Sequence, residues 1–97
     1  VTVINFWASW SPYSKDELSA LVRLKKEYGD AVAIVALNRD HNPAEGKVYL
    51  ENLQLGDELL FVYDKNDEYF KKVNGYAVPE TLFLIGNEDI FYHKHSP

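Results

Sequence analysis

Phe6-Trp7-Ala8-Ser9-Trp10-Ser11-Pro12-Tyr13-Ser14-Lys15 is the stretch that decides how this chain folds. With Cys at positions 11 and 14 it would read Trp-Cys-Pro-Tyr-Cys-Lys, a dithiol motif at the start of a helix. The chain carries serine at both positions and has no cysteine anywhere. A dithiol gives up two electrons by closing a disulfide, and two hydroxyls cannot. The stretch is the frame of a redox site without its redox atoms.

The segments on either side fit that frame. Residues 1–8 (VTVINFWA) are apolar and rich in β-branched and aromatic side chains, as in a central strand buried on both faces. Ser11 and Pro12 then predict a helix start, with Ser as N-cap and Pro in the first turn. Leu18, Leu21, Val22 and Tyr28 share one face of that helix at helical spacing. Gly29 predicts its C-cap. Residues 31–37 (AVAIVAL) predict a second buried strand. Asn42-Pro43-Ala44-Glu45 is a capping-box pattern, so a helix is expected to about Leu53, with Gly46 weakening it.

Residues 59–63 predict a third strand, closed by the turn Asp64-Lys65-Asn66. Residues 67–73 predict a short helix ending at Asn74-Gly75. Residues 81–85 and 90–93 predict a hairpin around the turn at 86–89. Strand-helix-strand-helix followed by a hairpin implies an α/β fold, a central mixed sheet with helices on its faces. No repeat, linker or low-complexity segment divides the 97 residues, which suit one domain over 1–97.

Composition narrows the function. A hydrophobic share of 46% with 14% aromatics supports a packed core over a disordered chain. A net charge of -5 argues against a nucleic-acid partner. No apolar run approaches the ~18 residues of a membrane span, so no membrane contact is expected from these residues. Because Val1 stands inside an apolar run and no initiator Met precedes it, the chain is expected to be an excised domain, from which a signal peptide or membrane anchor could have been lost.

The chemistry belongs at the first turn of the first helix. Unpaired backbone N–H groups and the helix dipole favour an anion there. A Cys at position 11 would have a lowered pKa and react as the thiolate. A Cys at position 14, one turn on, could close a disulfide with it. A serine hydroxyl in that place stays protonated at neutral pH. Ser-Pro is also an ordinary helix cap, so the pair alone says little.

Two blocks in register lift the stretch above an ordinary cap. The chain resembles the thioredoxin superfamily, in particular the extracytoplasmic TlpA, ResA and DsbE/CcmG-type thiol-disulfide oxidoreductases. Asn5-Phe6-Trp7-Ala8-Ser9-Trp10 matches the strand before the active site, and Ser11-Pro12-Tyr13-Ser14 falls on the Cys-x-x-Cys. Lys15-Asp16-Glu17 matches the basic-x-Glu continuation. Tyr76-Ala77-Val78-Pro79-Glu80-Thr81-Leu82-Phe83-Leu84-Ile85 matches the cis-proline loop and the strand after it. The resemblance implies a thioredoxin-like fold. It places Ser11 at the nucleophilic Cys, Ser14 at the resolving Cys and Pro79 at the cis-proline beside the substrate.

It further implies that Glu17 modulates the thiols or relays protons. Trp10, Pro12, Tyr13, Val78, Pro79 and Glu80 would form the substrate-binding surface, while Trp7 is expected in the core. The partners implied are protein thiol or disulfide substrates, or a redox partner protein. No cofactor and no metal is implied, a monomer is expected, and the compartment is the periplasm or cell envelope. With both thiols absent, the expected function is that of a thiol-disulfide oxidoreductase in a redox-inactive Cys-to-Ser form, by engineering. The alternative is a natural redox-dead binding module. The helix that usually follows the hairpin and the N-terminal β-hairpin of many members are expected to be missing.

Other patterns are weaker. His93 and His95 would share one strand face, but two imidazoles do not make a metal site. His41 has no spacing that ties it to Ser11 as a base, and no Gly-x-Ser-x-Gly elbow is present.

Overall fold

The structure is a computed structural model that describes residues 1–75, 78, 80–85 and 89–94, the last six by backbone alone. Five strands form one sheet in the order β3-β2-β1-β4-β5. Strand β1 (Thr2–Trp7) lies at the centre, helix α1 (Ser14–Tyr28) follows, and β2 (Ala33–Asn38) runs parallel beside β1. Helix α2 (Pro43–Leu53) leads to β3 (Leu60–Tyr63), parallel to β2. After the short helix α3 (Glu68–Lys72), β4 (Glu80–Ile85) pairs antiparallel with β1, and β5 (Asp89–Lys94) pairs antiparallel with β4. This is the mixed sheet with helices on its faces that the sequence pattern predicts.

Alternation along β1 sends side chains to two apolar layers. Val3 and Trp7 pack with Leu18 and Val22 of α1, with Ile34 and Ala36 of β2, and with Tyr49 and Leu50 of α2. Phe6 faces the other way, onto Leu37, Leu82, Leu84 and Phe70 of α3. Phe6 and Trp7 are both fully buried. Burying a side chain of Phe size stabilises by roughly 1.5–3 kcal/mol, so this pair anchors β1 between the layers.

Three elements depart from expectation. The α-helical ladder of α1 begins with Glu17 N–H donating to Tyr13 C=O, with Tyr13 and not Ser11 at the N-cap position. Ser11 acts one turn earlier. Its C=O accepts from Ser14 N–H (3.3 Å) and its Oγ accepts from Tyr13 N–H (3.4 Å), closing a tight turn that leads into the helix. Tyr28, expected on the buried face of α1, is 54% exposed. It lines an open apolar groove with Val1, Leu24 and Phe83. A 3₁₀ turn over Gly29–Ala31 precedes β2, which starts at Ala33.

Gly29 caps α1 with φ 53°, ψ -129°, a left-handed φ that glycine tolerates without strain. The Lys25 ammonium donates to the C=O of Gly29 (2.9 Å) and of Val32 (2.7 Å), a cation at the negative end of the helix dipole. Gly46 has a packing reason to be glycine. A Cβ there would stand 2.6 Å from Asn38 Nδ2, inside contact distance.

Candidate active site

Parallel strands β1, β2 and β3 end at the same edge of the sheet, at Trp7, Asn38 and Tyr63. Antiparallel β4 begins at that edge, because Phe6 of β1 is the register partner of Glu80. The two sequence blocks that carry the resemblance therefore meet there, the turn over residues 8–14 from one side and the start of β4 at Glu80 from the other. Beneath them the Asn5 amide donates to Thr81 Oγ1 (3.0 Å), tying β1 to β4.

The turn is fixed from below by Ser14. Its hydroxyl donates to Ala8 C=O (2.7 Å) and accepts from Ala8 N–H (3.3 Å). Ser14 is fully buried, and its Oγ satisfies an Ala8 N–H whose unpaired burial would cost about 1–3 kcal/mol. Ser11 N–H also donates to Ala8 C=O (3.1 Å). Ser11 lies just under the surface, 4% exposed, while Trp10 (62%) and Tyr13 (50%) stand out on either side of it. Pro12 is exposed between them. The geometry is a recessed position 11 with an apolar, aromatic rim.

Glu17 sits half-buried in the first turn of α1, beside exposed Asp16. Val78 is half-buried, and the Glu80 carboxyl is completely enclosed at the start of β4. Pro79 and His95 lie outside the described residues, as does the side chain of His93. The cis-proline and paired-histidine expectations fall on them. Among the described residues, no group of three or more His, Asp or Glu side chains is placed to hold a metal ion. No helix among them is long and apolar enough to cross a membrane.

Sequence reading missed the side chains that brace the turn from β2. The buried Asp40 carboxylate accepts from Ser9 N–H through both oxygens (3.2 and 3.1 Å) and from Ser9 Oγ–H (2.8 Å). Asn38 Nδ2 donates to the same carboxylate (2.9 Å), and Asp40 N–H donates back to Asn38 Oδ1 (3.0 Å). Arg39 N–H donates to Trp7 C=O (2.8 Å). The Arg39 guanidinium makes a two-pronged pair with Asp67 (3.1 and 3.2 Å) and lies 3.4 Å above the Phe70 ring. Arg39, Asp40 and Asp67 wall a polar cleft of about 260 Å³ together with Trp10, Tyr63 and Asp64. The available signal was Asn38-Arg39-Asp40, three polar residues directly after an apolar strand that ends in the interior.

No protein-family model matches the chain. The thiol:disulfide interchange protein DsbE of Allochromatium vinosum is 30% identical over 95 residues, which are 97% of this chain and 50% of that protein. A Chlorobium tepidum protein assigned as a thiol:disulfide interchange protein DsbE superposes with a TM-score of 0.88 at 18% identity, over 97% of this chain and 66% of that one. The chain has the thioredoxin-like fold, and its sequence and structure likenesses are to thiol-disulfide oxidoreductases of the thioredoxin superfamily. StoA from Bacillus subtilis, of the same fold, gives a TM-score of 0.83 at 24% identity over 96% of this chain and 71% of StoA. Within the superfamily the sequence likeness is to DsbE-type proteins. The chain spans half the length of the DsbE it matches. Relatives named for thiol:disulfide interchange thus share its thioredoxin-like frame, while this chain has no cysteine.

Proposed function

We propose that this chain is a thioredoxin-like thiol-disulfide oxidoreductase domain in a redox-inactive form, with Ser11 at the nucleophilic and Ser14 at the resolving thiol position. The observation that carries the reading is the meeting of both blocks at one sheet edge, with position 11 recessed beneath exposed Trp10 and Tyr13. In a thiol form, a thiolate at 11 would attack a protein disulfide and release one client thiolate as the mixed disulfide forms. A thiolate at 14 would then attack the sulfur at 11 and release the second, so two electrons pass to the client. Serine stops this at the first step, since its hydroxyl is neither ionised nor able to form an S–S bond.

On this reading Trp10, Pro12, Tyr13, Val78, Pro79 and Glu80 form the surface that contacts the client, and Glu17 modulates the thiol positions or relays protons to them. The client is a protein thiol or disulfide, or a partner oxidoreductase, met outside the cytoplasm, and the domain works as a monomer with no cofactor. A natural binding module is the second reading. It is favoured by how fully Ser14 uses its hydroxyl on both polar groups of Ala8, which makes serine a fitted residue in this place.

A single Ser11→Cys variant tests the first reading. With Ser14 retained, no resolving thiol is present, so the mixed disulfide should accumulate when a disulfide-bonded protein such as insulin is added. A thiol at 11 that alkylates readily but forms no mixed disulfide would contradict the reading and favour the binding module.

A further inference from the structure

Asp40 is buried at 2% exposure, and three donors converge on its carboxylate: Ser9 N–H, Ser9 Oγ–H and Asn38 Nδ2. Hydrogen bonds to an ionised acceptor are the strong kind, about twice a neutral pair. Ser9 is itself only half-buried and lies two residues before Ser11, in the turn that carries the recessed position and its Trp10 rim. The far end of the brace is equally constrained. Asn38 is buried against the one helix residue of α2 that leaves room for its amide, Gly46. The order Gly46, Asn38, Asp40, Ser9 is thus a continuous contact path from the start of α2 to the turn that follows β1.

We infer that Asp40 is a positioning residue for position 11, acting through Ser9, and that Asn38 and Gly46 hold it in place. This deepens the proposed function and rests on it for the exchange step, though not for the ordering of the turn. Asp40→Asn is the informative variant. An amide keeps the shape but has one acceptor oxygen, and its NH₂ would face a donor in every arrangement, since all three partners donate.

The test has two arms. In the chain as it stands, backbone amide order parameters of Ser9, Trp10 and Ser11 are expected near the rigid value of about 0.85 and should fall below about 0.6 in folded Asp40→Asn. A role in global stability alone would not lower them below the unfolding transition. In a Ser11→Cys/Ser14→Cys background, Asp40→Asn should lower kcat/KM for a disulfide-bonded protein about tenfold to a hundredfold, the range for small misplacement of a reacting group. Ser9→Ala, which removes only the hydroxyl donor, should give a smaller change of the same kind and serves if Asp40→Asn does not fold. Order parameters that stay high, or kcat/KM that does not follow their loss, would overturn the inference. If the dithiol parent itself exchanges no disulfide, the proposed function fails, and the order-parameter arm still decides whether Asp40 holds the turn.

Discussion

Replacing Gly46 by alanine pits two effects of known sign against each other. Alanine is the better helix former by about 1 kcal/mol, so an unhindered glycine in the first turns of α2 would gain stability on substitution. Here the new Cβ would meet Asn38 Nδ2, Cγ and Oδ1 at 2.6, 2.8 and 2.9 Å. Asn38 has little room to retreat, being buried with its amide held on both sides by Asp40 at 2.9 and 3.0 Å. Losing the bond to the carboxylate is worth about 1.5–3 kcal/mol and the neutral one about 0.5–1.5 kcal/mol.

The clash therefore outweighs the propensity gain, and Gly46→Ala should destabilise by about 1–3 kcal/mol. Urea unfolding of the two proteins gives the difference, and each kcal/mol should appear as a Tm lower by roughly 4–8 °C in a domain of this size. Asn38→Ala/Gly46→Ala should be less destabilised than the two single changes summed, because the clash is gone. A more stable Gly46→Ala would refute the reasoning, as it would mean that Asn38 does not press on α2.

Ser14→Ala strips Ala8 N–H of its partner in a fully buried place and should lower stability by about 1–2 kcal/mol in denaturant unfolding, whereas a value within 0.5 kcal/mol would show that Ala8 finds another partner. Asp64→Ala removes the carboxylate that accepts from Tyr69 N–H and Phe70 N–H, both at 3.0 Å, at the start of α3. A loss of about 1–2 kcal/mol is expected from the missing cap, and faster amide exchange at Tyr69 and Phe70 should accompany it. Unchanged protection at those two amides would contradict that role.

The parts of the fold legible in the sequence are those set by local pattern. Residues 1–8 read as a buried central strand because their apolar run admits no polar face, and Trp7 is fully enclosed there. Gly29 could be read as a cap because a left-handed φ favours glycine whatever surrounds it. Tyr28 was misread because helical spacing says which face a residue shares and not whether anything covers that face at its end. The start of α1 lies two residues later than expected because Ser11-Pro12 suits a tight turn as well as a helix cap. At the candidate site, Ser11 and Ser14 were visible through their motif. Asp40 was not, since its partner Ser9 lies 31 residues away and only the parallel pairing of β1 with β2 brings them together. Gly46 likewise looked like a weak helix residue until Asn38 appeared opposite it.

On the proposed function, two hydroxyls silence an otherwise intact oxidoreductase site. The most direct test is to make Ser11→Cys/Ser14→Cys and measure its turnover of a protein disulfide together with its two-electron reduction potential against glutathione. Turnover with a single well-defined potential is the predicted result, absent in the parent chain, and the potential would fix the direction in which the site runs. A well-folded double variant that forms no disulfide and turns over no client would contradict the claim.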